Sequence, residues 1–168
     1  MAEDLSLNGS DNEDTQKDKY LTFHLAGEDY GIEICYVIEI IGIQSITEVP
    51  DMPAFIRGVI NLRGKVIPVM DVRARFKLSA RDYDDRTCII VINVDATEVG
   101  LVVDEVSEVA DIPESQVEPA PRTSKNSDNS YIQGMGKMNN RVIILLDVHK
   151  LLFSGDMQRL LQNDGDDE

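Results

Sequence analysis

The residues best equipped for chemistry in this chain are few and scattered. Its only histidines are His24, inside the alternating run Leu21-Thr22-Phe23-His24-Leu25, and His149, two residues after Asp147. A lone imidazole in either setting more often serves a surface contact or a satisfied hydrogen bond than acid–base catalysis. Cys35 and Cys88 lie in apolar runs with no paired spacing, the pattern of reduced core thiols rather than of a disulfide or a nucleophile. Gly58 and Gly64, like Gly134 and Gly136, build neither GxxxxGK[ST] nor GxGxxG after a strand, so no phosphate loop is encoded. Asp51, Asp71, Asp84, Asp85 and Asp104 fall on separate segments and fit no calcium-loop spacing. No cofactor and no metal are expected. Carboxylates dispersed in a cleft remain open to a small metabolic or hydrolytic enzyme, the reading from another class that competes with a binding protein.

Contact chemistry is better represented. Arg63 stands beside Gly64 between the strand-like runs Val59–Leu62 and Val66–Met70, at what reads as a hairpin tip. A guanidinium on a rigid turn suits bidentate carboxylate contact, and a solvated turn residue is an equal alternative. Val37, Glu39 and Ile40 place a carboxylate among β-branched residues, and Val106, Glu108 and Val109 do the same later. In a strand, Val37 and Glu39 share one face and Ile40 takes the other. The competing expectation is that these aliphatics are core and the glutamates point to water.

The elements that must position these residues are short strands. Leu21, Phe23 and Leu25 alternate up to the turn Ala26-Gly27-Glu28-Asp29, and Tyr30, Ile32 and Ile34 alternate after it. Cys35–Ile41 fits a helical turn or a strand, and Gly42–Pro50 a strand and exit loop. After the hairpin around Arg63-Gly64, Asp71 caps a helical segment with Val72 and Phe76 four apart on one face. Ser79–Arg86 is a charged turn region, and Thr87–Val94 and Val99–Val109 are strands around Asp95-Ala96-Thr97-Glu98. A Pro-, Ser- and Asn-rich loop, Asp111–Ser130, is long for a compact domain. Ile132–Met138 and Arg141–Leu146 flank the tight-turn signal Asn139-Asn140, and Asp147 caps a helix through Phe153. Residues 1–18 read as a disordered acidic arm and 154–168 as a short amphipathic helix with an acidic tail.

The chain contains one unit twice. A shift of 69 residues places Leu21, Phe23 and Leu25 on Ile90, Ile92 and Val94, Gly31 on Gly100, Val37 on Val106, Glu39 on Glu108 and Ile40 on Val109. A shift of 76 places Ile56 on Ile132, Gly58 on Gly134, Lys65 on Arg141 and Asp71 on Asp147. Several short strands per unit predict a mainly β protein of two small barrels packed together, lobes near 19–80 and 87–153, with a binding groove at their junction. A net charge of −15 argues against nucleic acid and anionic membrane as partners. No apolar run approaches the ~20 residues of a membrane span, and no secretory leader pattern opens the chain, so a cytoplasmic protein is expected.

Pro53-Ala54-Phe55-Ile56-Arg57-Gly58-Val59-Ile60-Asn61-Leu62-Arg63-Gly64, followed by Ile67-Pro68-Val69 and Asp71, resembles the signature of the bacterial chemotaxis coupling family, CheW. Tyr30-Gly31-Ile32 with Val37 and Glu39, Val99–Asp104, and Tyr131–Gly136 extend the resemblance over about Lys19–Phe153; Val72 in place of the more usual Leu is a conservative departure. The resemblance implies two SH3-like five-stranded antiparallel β-barrel lobes with short helices. It also implies a non-catalytic adaptor between methyl-accepting chemoreceptors and the histidine kinase CheA, recruited to membrane receptor arrays. Its partners would be the receptors' cytoplasmic tip, the kinase regulatory domain and further CheW subunits. The receptor-facing groove would carry over to Val37, Glu39, Val106 and Val109, with Ile40 beside them. Gly58 and Arg63 match coupling positions, in a block that also contains Asn61 and Gly64. A CheW-domain docking factor from a non-flagellar system would carry the same signature.

Overall fold

The computed structural model describes residues 16–120 and 131–153. The acidic arm, apart from its last residues, the second half of the predicted long loop and the C-terminal helix and tail lie outside the described residues. Eleven strands dominate the described residues: β1 (Lys19–Leu25), β2 (Glu28–Glu33), β3 (Val37–Gly42), β4 (Ile56–Leu62), β5 (Lys65–Asp71), β6 (Cys88–Val94), β7 (Thr97–Val103), β8 (Glu105–Asp111), β9 (Val117–Glu118), β10 (Ile132–Met138) and β11 (Arg141–Leu146). Two short helices, α1 (Val72–Arg75) and α2 (Val148–Phe153), follow β5 and β11. The turns at Arg63-Gly64 and Asn139-Asn140 are the two-residue ones expected, and those at Ala26-Gly27 and Asp95-Ala96 are tighter than the four-residue turns the sequence suggests. Ala26-Gly27, Arg63-Gly64, Asp95-Ala96 and Asn139-Asn140 each combine two positive-φ residues for Arg63, Asp95, Ala96, Asn139 and Asn140 at 54°, 53°, 67°, 51° and 67°, with Ala26 at 51° and the two glycines at 83° and 84°. Such two-residue turns match the twist of the flanking strands.

The strands form two sheets, ordered β8-β1-β2-β11-β10-β9 and β3-β6-β7-β5-β4. This is the expected two-lobed, mainly β architecture, with one parallel pairing in each sheet, β11 with β2 and β5 with β7. The sixth strand of the first sheet, β9, is only two residues long and covers the edge of β10. Its counterpart beside β4 is a single bridge between Thr47 and Val59.

The lobes are not the two halves of the sequence, which corrects the 19–80 and 87–153 division. The repeats exchange strands: β3 of the first pairs with β6 of the second, and β8 of the second returns to β1 of the first. One lobe is therefore β3–β7, continuous in the chain, and the other joins β1–β2 to β8–β11. The exchange is symmetric to the residue. Val37 faces Ile92 as Val106 faces Phe23, and Ile40 faces Ile90 as Val109 faces Leu21. Asp71 N–H donates to Phe55 C=O at 2.7 Å, as Asp147 N–H does to Tyr131 C=O at 2.7 Å.

Three cores result. Ile60, Ile67, Val69, Ile89, Val91 and Val102 fill the inside of the five-stranded sheet, and Tyr20, Ala110, Ile112, Ile143 and Leu145 the inside of the other. Between the lobes, Leu21, Phe23 and Leu25 of β1 meet Ile90, Ile92 and Val94 of β6. This explains the unbroken apolar run Cys88–Ile92: a strand buried on both faces has no reason to alternate. Cys35 departs from the core assignment, because the 3-10 turn Ile34–Tyr36, where the chain crosses between sheets, leaves it exposed; Cys88 is half-buried and both thiols are free. Val99–Val109 is likewise two strands, broken at Asp104 where the chain changes sheet. The first half of the Asp111–Ser130 loop carries a 3-10 turn, Glu114–Gln116, and β9.

Candidate partner-binding site

A bulge in β3 decides which way the predicted contact residues point. Val37 lies opposite Ile92 and Glu39 opposite Val91, leaving Ile38 as the extra residue. Residues opposite one another share a face, so Val37 and Ile40 join the side of Ile92 and Ile90 while Glu39 and Ile41 join that of Val91 and Ile89. This corrects the simple alternation that put Val37 with Glu39. The same register shift in β8 puts Val106 and Val109 on the interlobe side, opposite Phe23 and Leu21. Val37 and Val106 pack partly on the central core, whereas Ile40 and Val109 remain 43% and 52% exposed. The aliphatic candidates thus occupy one equivalent place in each lobe.

The polar candidates meet at the β4–β5 tip. Arg63 Nη1 donates to Glu39 Oε1 at 2.6 Å, joining two residues that the sequence nominates separately. The carboxylate holds the guanidinium above its ordinary pKa through that hydrogen bond and its charge. Asn61 Oδ1 accepts from Gly64 N–H at 2.9 Å and fixes the turn that carries Arg63. Gly58 is different. It is buried at φ 145°, and a Cβ there would lie 2.0 Å from Thr47 C=O, so it lets the backbone at Thr47 close over β4 and offers a partner no side-chain surface.

Other residues complete the surroundings, among them Lys65 and Tyr83, which the sequence did not nominate. Lys65 Nζ contacts Glu98 Oε2 at 2.9 Å beside the same tip. The one available signal was that Lys65 repeats as a cation at Arg141. Asp71 caps α1, accepting from Ala74 N–H at 3.3 Å, and also accepts from Arg57 Nε and Tyr83 O–H, both at 3.0 Å. Burial, then the charge and hydrogen bond of Asp71, push the Tyr83 phenol up to about 12. The histidines are engaged in ion-pair geometry: His24 Nδ1 is 2.6 Å from Asp29 Oδ1 and His149 Nε2 is 2.6 Å from Asp95 Oδ2. Among the described residues no group of three or more His, Cys, Asp or Glu is placed to hold a metal ion, and no helix is long and apolar enough to cross a membrane.

A duplicated, strand-exchanged pair of small β lobes, with an exposed ion pair on a rigid tip and aliphatic residues left uncovered, defines a protein that works by contact. Comparison with known proteins agrees. The CheW-like domain model matches residues 19–155. The chain is 40% identical to the chemotaxis protein CheW of Klebsiella aerogenes over 144 residues, 86% of this chain and 87% of that one. It is 36% identical to the CheW of Bacillus subtilis over 135 residues, 80% and 86% of the two chains. The crystal structure of the scaffolding protein TtCheW from Thermoanaerobacter tengcongensis superposes with a TM-score of 0.76 at 37% identity, covering 83% of this chain and 94% of that one. The chain belongs to the CheW family, whose members are non-catalytic scaffolds of bacterial chemotaxis.

Proposed function

We propose that this chain couples the cytoplasmic tips of methyl-accepting chemoreceptors to the regulatory domain of the histidine kinase CheA, and is recruited with them, and with further copies of its family, to membrane receptor arrays from the cytoplasm. The observation that carries the site assignment is the Glu39–Arg63 pair, 2.6 Å long, at the tip of a hairpin whose turn is locked by Asn61 and Gly64. The pair is exposed on the Arg63 side at 72% and recessed at Glu39 at 21%, so the cation is presented on a short, preorganised tether. Val37, Ile40, Val106 and Val109 add an apolar surface in both lobes, suited to the apolar stripe of a helix. Gly58 serves the site indirectly, through the backbone of β4.

Arg63→Glu tests this reading. Reversing an exposed charge opens no cavity, so the variant keeps its thermal transition. It weakens binding to a partner by more than the ~0.5 kcal/mol of ordinary surface substitutions. Calorimetric titration of wild type and variant with the kinase regulatory domain and with a receptor tip fragment assigns the partner that Arg63 serves. A folded variant that binds both partners like wild type removes Arg63 from the site, and a wild-type protein that binds neither overturns the coupling reading.

A further inference from the structure

A cavity of about 190 Å³ opens beside the Arg63 tip, between β3, the β4–β5 hairpin and the β6–β7 pair. Its apolar lining is Ile38, Leu62 and Val91, with Val91 buried and Ile38 exposed. Its sides are two ion pairs, Arg63 with Glu39 at 2.6 Å and Lys65 with Glu98 at 2.9 Å. In both, the carboxylate is recessed and the cation stands forward: Glu39 and Glu98 are 21% and 20% exposed, Arg63 and Lys65 72% and 64%. The mouth therefore presents two cations on a chain whose net charge is −15.

The second lobe serves as an internal control. There the repeat places Asn139 at the position of Arg63, Arg141 at that of Lys65, Glu108 at that of Glu39 and Asp29 at that of Glu98. Arg141 alone reaches both carboxylates, Asp29 at 3.4 Å and Glu108 at 2.9 Å, and is itself only 36% exposed. Here Arg141 is drawn back between two carboxylates, Lys137, at the position of Asn61, pairs with Glu118 at 2.8 Å, and His24 Nδ1 lies 2.6 Å from Asp29, so the second lobe does not repeat the two forward pairs.

We propose that Lys65, held by Glu98, is the second half of the docking slot and sets its specificity for an acidic amphipathic helix. An apolar side chain of that helix enters over Ile38, Leu62 and Val91, while carboxylates one helical turn apart meet Arg63 and Lys65. Glu39 and Glu98 keep both cations aimed outward before the partner arrives, which lowers the ordering cost of binding. This rests on the coupling reading for the identity of the helix, that of the receptor tip.

The test titrates the chemoreceptor tip fragment and the kinase regulatory domain into wild type, Lys65→Met and Lys65→Arg at low and moderate salt. Lys65→Met keeps the aliphatic stem and loses the charge. It weakens the receptor fragment about fivefold and flattens the salt dependence, Lys65→Arg restores both, and kinase binding stays unchanged in all three. If Lys65→Met binds the receptor fragment as wild type does, or more tightly, the slot assignment is wrong, and the coupling reading stands provided Arg63→Glu still weakens a partner. A loss confined to the kinase domain overturns the assignment of the occupant. Wild type that binds neither partner overturns the slot and the coupling reading together.

Discussion

At Gly58 one methyl group decides whether the edge of β4 can close. The backbone is at φ 145° and the place of a Cβ is taken by Thr47 C=O and the backbone of Glu48. Gly58→Ala is expected to cost about 2–4 kcal/mol, read as a lowered urea midpoint with an unchanged slope. An unshifted midpoint would return Gly58 to the list of direct contact residues. A Cβ at Gly134 would lie 2.9 Å from Glu118 C=O, without the positive φ of Gly58, so the glycine register seen in the sequence records a close backbone approach in both lobes. What the sequence could not supply is the neighbour, because Thr47 lies in a stretch with no periodicity. The Glu39–Arg63 pair was hidden for a related reason. Both residues stood out by type, but their contact depends on the bulge at Ile38, and nothing in the run Val37–Gly42 marks a bulge with a glycine or a polar break.

Among the elements, the joint between β7 and β8 is held by a single carboxylate. Asp104 accepts from Arg73 Nε and Nη2, both at 2.8 Å, and from Ala26 N–H at 3.0 Å, with Arg81 Nη1 at 3.2 Å. Burial acts to raise its pKa, but the Arg73 hydrogen bonds, the Ala26 amide and the charges of Arg73 and Arg81 outweigh it and leave the carboxyl below its ordinary value. The sign of the pH effect follows. The stabilisation is full above the unfolded value of about 3.9 and is lost as pH falls through the lowered native one. Asp104→Asn should cost about 2 kcal/mol at pH 7, and the difference from wild type should narrow at pH 3 when urea midpoints are compared. An equal gap at both pH values would mean that the ionised form contributes nothing. The sequence read one strand here because Val99–Val103 and Val106–Val109 are both valine-rich and an isolated aspartate between them is no turn signal. The hairpins were legible because each carries its own alternation and turn residues; the change of sheet was not, because it depends on pairing partners far along the chain.

At the scale of the molecule, duplication was legible and the exchange of strands was not. A repeat fixes which segments are alike, whereas the choice between pairing β3 with its own hairpin or with the other one is made by packing in three dimensions. The exchanged arrangement predicts that residues 16–86 and 87–153, expressed apart, show no cooperative unfolding, since each lacks strands of both sheets. Mixed, they should regain a native circular dichroism spectrum as an equimolar complex; two independently folded halves would refute the topology. The exchange also sets an order of events on the ribosome. The five-stranded sheet is complete once Val103 has emerged, whereas β2, whose Tyr30 pairs with Ile144 of β11, must wait with an open edge for the last described strand. An early strand of each new molecule is thus among the last to find its partner, and its edge stays open to neighbours on the same polysome until the β10–β11 hairpin arrives.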